Sequence, residues 1–393
     1  MFRINQQHNP LLNHEDVFLF IISKPGNLRL LIAKSAKLSL YFYMAEFDIR
    51  AFLDLAEKYP IIDVRSPSEH NHGHIPMSVN IPLFDDEERA VIGTSYKTKG
   101  KKEAIFEGLE MVGPKIASFV RRACELAVDN QVLVHCWRGG MRSGSFSWLM
   151  NTAGIKSYTL KGGYKSYRKF ALDFFSNLNN LILLGGETGS GKTEILQGLA
   201  KSGEQIIDLE ALARHKGSSF GGLGGTNQPS NEQFQNNLLR EMMKLDLSKR
   251  IFLEDESHNI GGVRIPDVLW FKMRASPVIR LVILKEQRIN RLVKDYGKLD
   301  KELLFNSILR ISRKLGGLHT TQALEYLEKD NFQAVADICL HYYDKAYLTG
   351  LKHRHNELIN NFEAGSSYNQ TSLVLKLKEF ANIISSGKIK EQQ

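Results

Sequence analysis

Cysteine is scarce in this chain: Cys124, Cys136 and Cys339 are the three in 393 residues, odd in number and far apart. They offer neither a disulfide framework nor the paired spacing of a zinc site, and they fit a reducing cytoplasm. Long apolar runs are missing too. Near the start, Val17-Phe18-Leu19-Phe20-Ile21-Ile22 is far shorter than a membrane-spanning helix needs, and no small-residue cleavage site follows it, which argues against a secretory signal and a membrane partner. No segment repeats along the chain, so repeat architectures are excluded. Acidic charge does not dominate either. Lys and Arg number 52 against 43 Asp and Glu, a net charge of +9 that favours a polyanionic partner such as RNA without requiring one.

What is present is ample apolar material, 42% of 393 residues, enough for two ordinary domains. Residues 1–43 read differently from the rest and carry no motif. They are expected to be a disordered or untranslated extension whose removal leaves folding and activity intact. Met44 opens a plausible domain start, with Ile49, Phe52, Leu53 and Ala56 at helical spacing. The expected domains are 44–175 and 176–393.

The first domain is organised around Val132-Leu133-Val134-His135-Cys136-Trp137-Arg138-Gly139-Gly140-Met141-Arg142-Ser143. An apolar strand ends in a cysteine, a two-glycine loop follows, and a helix-period segment begins at Ser143. Successive amides of such a loop can form an anion nest, backed by the positive end of the helix. An ordinary thiol is only about 3% ionised at neutral pH, and this setting can lower its pKa. Many lone cysteines are simply buried at strand ends, but a core cysteine does not call for Arg138, Gly139, Gly140 and Arg142 beside it. Cys136 therefore reads as a nucleophile, with Arg138 and Arg142 as catalytic partners and the planar fork of Arg142 suited to an oxyanion over the sulfur. His135 precedes Cys136 on a strand, so its side chain points to the opposite face, a structural position. Ile61-Ile62-Asp63-Val64-Arg65 and Val79-Asn80-Ile81-Pro82 add strands around a Gly73-His74-Ile75-Pro76 turn, which implies a parallel sheet. Residues 88–97 read as a loop leading into Lys97, Lys99, Lys101 and Lys102, equally a solvated surface or a basic rim for substrate beside the thiolate.

The second domain opens on a buried strand, Leu181-Ile182-Leu183-Leu184-Gly185, followed by Gly186-Glu187-Thr188-Gly189-Ser190-Gly191-Lys192-Thr193. This matches G-x-x-x-x-G-K-[ST] between a strand and a helix, the context that confirms a P-loop. The backbone around Gly186, Gly189 and Gly191 would cradle two phosphates, Lys192 would bridge them and Thr193 would ligate magnesium. A further strand, Ile251-Phe252-Leu253, precedes Glu254-Asp255-Glu256-Ser257, and Asp255 is read as the metal-side carboxylate. Asp208 to Gly225 reads as a mobile lid. Beyond it the chain turns helical and basic, and Arg288 and Arg291 read as solvated helix faces or as candidate contacts to an RNA backbone. The aromatic stripe His341 to Tyr347 reads as core packing.

The D-V-R strand, the H-I-P turn and the cysteine loop resemble a rhodanese domain, with Met77 where many rhodaneses carry glycine. The C-x5-R length also resembles dual-specificity phosphatases and arsenate reductases. Taken with Gly93-Thr94-Ser95-Tyr96-Lys97, Gly162-Gly163-Tyr164-Lys165, Leu212-Ala213-Arg214-His215 and Glu254-Asp255-Glu256-Ser257, the order of the two domains resembles the bacterial tRNA 2-selenouridine synthase family from about residue 45 to the tail. The resemblance implies an α/β protein, a rhodanese-like parallel-sheet domain followed by a P-loop NTPase-like α/β domain with a helical C-terminal part. It implies a transferase that replaces sulfur by selenium in wobble 2-thiouridine of tRNA. Selenophosphate and geranyl diphosphate would be co-substrates, S-geranyl-2-thiouridine the intermediate and Cys136 the selenium carrier, with no tightly bound cofactor. A selenophosphate-producing enzyme is an implied partner. A thiolate phosphatase or arsenate reductase with a regulatory NTPase domain is the alternative.

Overall fold

The computed structural model describes residues 45–215, 227–297, 299–365 and 369–386. The expected extension 1–43 and most of the expected lid lie outside the described residues. The chain divides into two compact units at Lys169 and Phe170, inside the helix Gly163–Ser176.

The first unit carries β1 (Glu46–Phe47), β2 (Ile61–Asp63), β3 (Val79–Asn80), β4 (Gln131–His135) and β5 (Lys156–Leu160). They form one sheet in the order β1-β5-β4-β2-β3, with every pairing parallel. β2 and β4 are buried runs because helices cover such a sheet on both faces. Asp48 ends β1 and caps the helix Ile49–Ala56, its carboxylate accepting from the amides of Arg50 and Ala51. Phe119, Val132, Val134, Phe146 and Met150 belong to the core below the cysteine loop. Residues 86–98, read above as largely loop, are helical. The reason is local: Asp85 and Glu88 form a reciprocal capping box and three carboxylates fill the first turn.

The second unit carries β6 (Leu181–Gly186), β7 (Gln205–Ile207), β8 (Ile251–Glu254), a short antiparallel pair β9 (Asn259–Ile260) and β10 (Val263–Arg264), then β11 (Val278–Val282) and β12 (Ile359–Glu363). Its main sheet runs β12-β11-β6-β8-β7, again parallel throughout. β6 is central, so the loop at its carboxyl end lies at the topological switch point, where such sheets bind ligands. The helices Lys285–Tyr296, Lys301–Leu315, Gly317–Glu328 and Phe332–Leu351 follow β11 as the helical C-terminal part. Leu304, Ile308, Ala323, Val335 and Cys339 form their core, and Tyr342 and Tyr343 pack on it as the aromatic spacing implied.

Candidate functional site

Cys136 lies just beyond β4 and only 3% of its surface is exposed. Its Sγ stands 3.2 Å from the Ser143 hydroxyl and accepts from the Gly140 amide at 3.4 Å. Burial alone would raise the thiol's pKa. The Ser143 hydroxyl and the amides of Gly140, Ser143 and Arg138 outweigh it and hold the thiol below its ordinary value. The loop is gripped from behind by the Gly162-Gly163-Tyr164-Lys165 segment. The Tyr164 amide donates to the Cys136 carbonyl at 2.8 Å and the Lys165 amide to the Trp137 carbonyl at 3.0 Å. Gly163 holds a positive φ of 59° there, and a side chain on it would collide with the Cys136 carbonyl and the Gly139 amide.

The arginines act differently from the sequence reading. Arg142 donates to Glu69 at 2.7 Å, so its guanidinium is anchored to the helix Pro67–His72 and contributes no hydrogen bond to the sulfur. Arg138 has an exposed side chain, and its backbone amide is what faces the thiol. Ser143, given no catalytic role in the sequence reading, is the side chain that touches Cys136. Behind the loop, Arg65 holds Asp63 through Nε and Nη2, the latter at 2.6 Å, and its guanidinium stacks 3.9 Å from the Tyr164 ring. Burial would raise Asp63, but His135, His70 and Arg65 around it hold its carboxyl well below the usual range. His135 is fully buried on the face away from the thiol, and burial lowers its pKa to about 4.

The P-loop follows β6, with positive φ at Gly186, Gly189 and Gly191. A side chain on Gly186 would begin 2.7 Å from the Ser190 hydroxyl. That hydroxyl is buried and, among the described residues, has no hydrogen-bond partner, which fits a phosphate oxygen in the cradle. Lys192 reaches back to the Gly186 carbonyl at 3.2 Å. Thr193 donates to Glu254 at 2.8 Å and to Glu210 at 3.3 Å. Glu210, Glu254 and Glu256 each bring an oxygen within 4.8 Å of the others. Burial first, then mutual repulsion, raises Glu254 to about 8 and Glu210 to about 7. One oxygen of Glu254 is buried and, among the described residues, unpaired. The donor set, a hydroxyl and three carboxylates, suits magnesium.

Asp255 is therefore corrected as the metal-side carboxylate. It ion-pairs with Arg354 at 2.6 Å, whereas Glu254, one residue earlier, closes β8 and faces Thr193. Side chains alternate along a strand, so the two acids point apart. Arg288 and Arg291 are corrected too. Arg288 is buried, paired with Asp344 at 2.7 Å and bonded to the Thr188 carbonyl, while Arg291 donates to the Gly189 carbonyl at 3.0 Å. Both brace the P-loop, Arg288 buried and Arg291 with part of its side chain exposed. Lys97, Lys99, Lys101 and Lys102 are exposed, with Lys99 tied to Glu107 at 2.7 Å.

Comparison with known proteins bears on both domains. The family described as the tRNA 2-selenouridine synthase AAA domain matches residues 179–371, and the Rhodanese-like domain matches residues 49–170. The tRNA 2-selenouridine synthase of Nitrosomonas europaea is 33% identical, covering 75% of this chain and 90% of that protein. This chain belongs to the tRNA 2-selenouridine synthase family. The Bdellovibrio bacteriovorus tRNA 2-selenouridine synthase, 35% identical over 76% of this chain and 90% of that one, agrees. Both halves of the sequence resemblance thus hold, the rhodanese-like domain and the P-loop domain. For this member of the tRNA 2-selenouridine synthase family, Ser143, Glu69, Glu210, Glu254 and Glu256 are the site residues that sequence reasoning missed. Glu254 carried a signal, since it ends an apolar run and so sits at a strand's carboxyl end. Ser143 and Glu69 carried none, because nothing in their spacing tells which hydroxyl meets the sulfur or which acid meets Arg142. No helix among the described residues is long and apolar enough to cross a membrane.

Proposed function

We propose that this protein is a tRNA-modifying transferase that replaces the sulfur of wobble 2-thiouridine by selenium in two steps. In the first, the thiocarbonyl sulfur attacks carbon 1 of geranyl diphosphate, the carbon–oxygen bond breaks, and pyrophosphate leaves on the P-loop. In the second, hydroselenide released by cleavage of the phosphorus–selenium bond of selenophosphate adds at carbon 2 and geranyl thiol departs. Alkylated sulfur is a better leaving group than the thiocarbonyl it replaces, which is the chemical reason for the first step. The observation that carries the reading is the Cys136 cradle: a thiol held below its ordinary pKa by a hydroxyl and three amides. Selenophosphate is an oxyanion whose phosphorus the Cys136 thiolate attacks: a sulfur–phosphorus bond forms, the phosphorus–selenium bond breaks to release hydroselenide, and water then hydrolyses the phosphocysteine to free phosphate.

On the P-loop, Lys192 and the amides from Gly186 to Thr193 orient the diphosphate and take its charge as it leaves. Magnesium, held by Thr193, Glu254, Glu210 and Glu256, would neutralise diphosphate charge. Incubation of the purified protein with 2-thiouridine tRNA, geranyl diphosphate and selenophosphate should yield 2-selenouridine by nucleoside mass spectrometry, without added ATP. Tight binding of ATP by a protein that ignores geranyl diphosphate would reassign the P-loop to a nucleotide.

A further inference from the structure

An apolar slot opens beside the P-loop. Its walls come from Leu292, Val293 and Tyr296 on the helix Lys285–Tyr296 and from Val335, Cys339 and Tyr343 on the helix Phe332–Leu351. Thr188 of the P-loop belongs to the same lining, and the Leu292 side chain comes within 3.2 Å of where a side chain on Gly189 would begin. The slot therefore starts where the phosphate cradle ends. Its deep part is buried at Val335 and Cys339, while Thr188 and Tyr296 are partly exposed at its mouth. Among the described residues, no lining residue carries a charge or a side-chain amide. A nucleotide base placed there would leave its ring donors and acceptors largely unpaired, which is costly in a dry pocket, whereas a hydrocarbon chain would lose nothing.

We propose that this slot takes the hydrocarbon chain of an isoprenoid diphosphate whose diphosphate sits on Gly186 to Thr193. The inference rests on the P-loop reading above and adds where the chain lies and which residues limit its length. Cys339 then acts as a packing residue of the slot, where burial pushes its thiol up to about 12, a poor nucleophile beside an alkylating substrate. Ala336, also in the lining, is small enough that a larger side chain there would occupy the chain's place.

Equilibrium binding to the full chain, with geranyl diphosphate and inorganic pyrophosphate as probes, tests this. Wild type should hold geranyl diphosphate about tenfold or more tighter than pyrophosphate, the worth of roughly two buried methylenes. Ala336→Phe should bring geranyl diphosphate down to the affinity of pyrophosphate and leave pyrophosphate itself unchanged. Equal affinities in wild type, or a folded Ala336→Phe protein that binds both probes as wild type does, would overturn the slot while leaving the P-loop reading in place. Lys192→Ala should weaken both probes, and if it weakens neither, the P-loop reading itself fails. If Ala336→Phe does not fold, Cys339→Ala serves. It should shift preference from geranyl toward the longer farnesyl diphosphate, and an unchanged preference counts against the slot.

Discussion

Met77 holds a φ of 73° with 72% of its surface exposed, so it keeps a left-handed backbone and receives little packing in return. That conformation costs a non-glycine residue about 1–2 kcal/mol, partly offset by the greater unfolded-state freedom of glycine. Met77→Gly should therefore raise stability by about 1 kcal/mol or less in urea unfolding, and a loss would mean that the exposed side chain makes a stabilising contact. At Cys136 the Ser143 hydroxyl is the side-chain group that favours the thiolate. Alkylation of Cys136 by iodoacetamide should show a pH midpoint below that of an ordinary thiol, and Ser143→Ala should move it upward. An unmoved midpoint would assign the effect to the loop amides alone.

The metal-side cluster joins the ends of separate elements, with Glu254 closing β8, Glu210 on the helix Leu209–Ala213 and Thr193 opening the helix Lys192–Lys201. Because folding raises the pKa of Glu254 from 4.5 to about 8 and of Glu210 to about 7, the native state favours their protonated forms. Their contribution is full below the unfolded value and is lost as pH rises through the folded one. Metal-free protein should thus lose thermal stability between about pH 5 and pH 8, magnesium should restore it most at the upper end, and Glu254→Gln should flatten the slope. A slope unaffected by Glu254→Gln would place the titration elsewhere. The P-loop and the cysteine strand were legible in the sequence because each is a local pattern: an apolar run, glycines at fixed offsets, then a helix. The choice of Asp255 over Glu254 was not, since it turns on where β8 stops, and a shift of one residue exchanges the two faces of a strand. Arg288 and Arg291 misled for a related reason. A basic helix face looks the same in sequence whether it meets solvent or P-loop carbonyls, and the partner, Asp344, lies 56 residues away.

Across the whole molecule, the correction of those two arginines leaves Lys97, Lys101 and Lys102 as the exposed basic residues of the original set without an ion pair to an acid among the described residues. Binding of tRNA should weaken with salt, and replacing these three lysines by alanine should reduce the slope of log affinity against log salt by about 2, at roughly 0.7 for each lost phosphate contact. An unchanged slope would make them a solvated surface. The two-domain order and fold class could be read from motifs alone, while the slot beside the P-loop could not, because its walls come from two helices some 40 residues apart in sequence. On the proposed mechanism, Cys136 serves the selenium step and not the alkylation step. Cys136→Ser keeps the loop and its amides but replaces the thiolate by a hydroxyl that stays protonated near neutral pH. Given 2-thiouridine tRNA, geranyl diphosphate and selenophosphate, that protein should accumulate S-geranyl-2-thiouridine and form little or no 2-selenouridine, as read by mass spectrometry of the digested nucleosides. Selenouridine at the wild-type level would remove Cys136 from the mechanism.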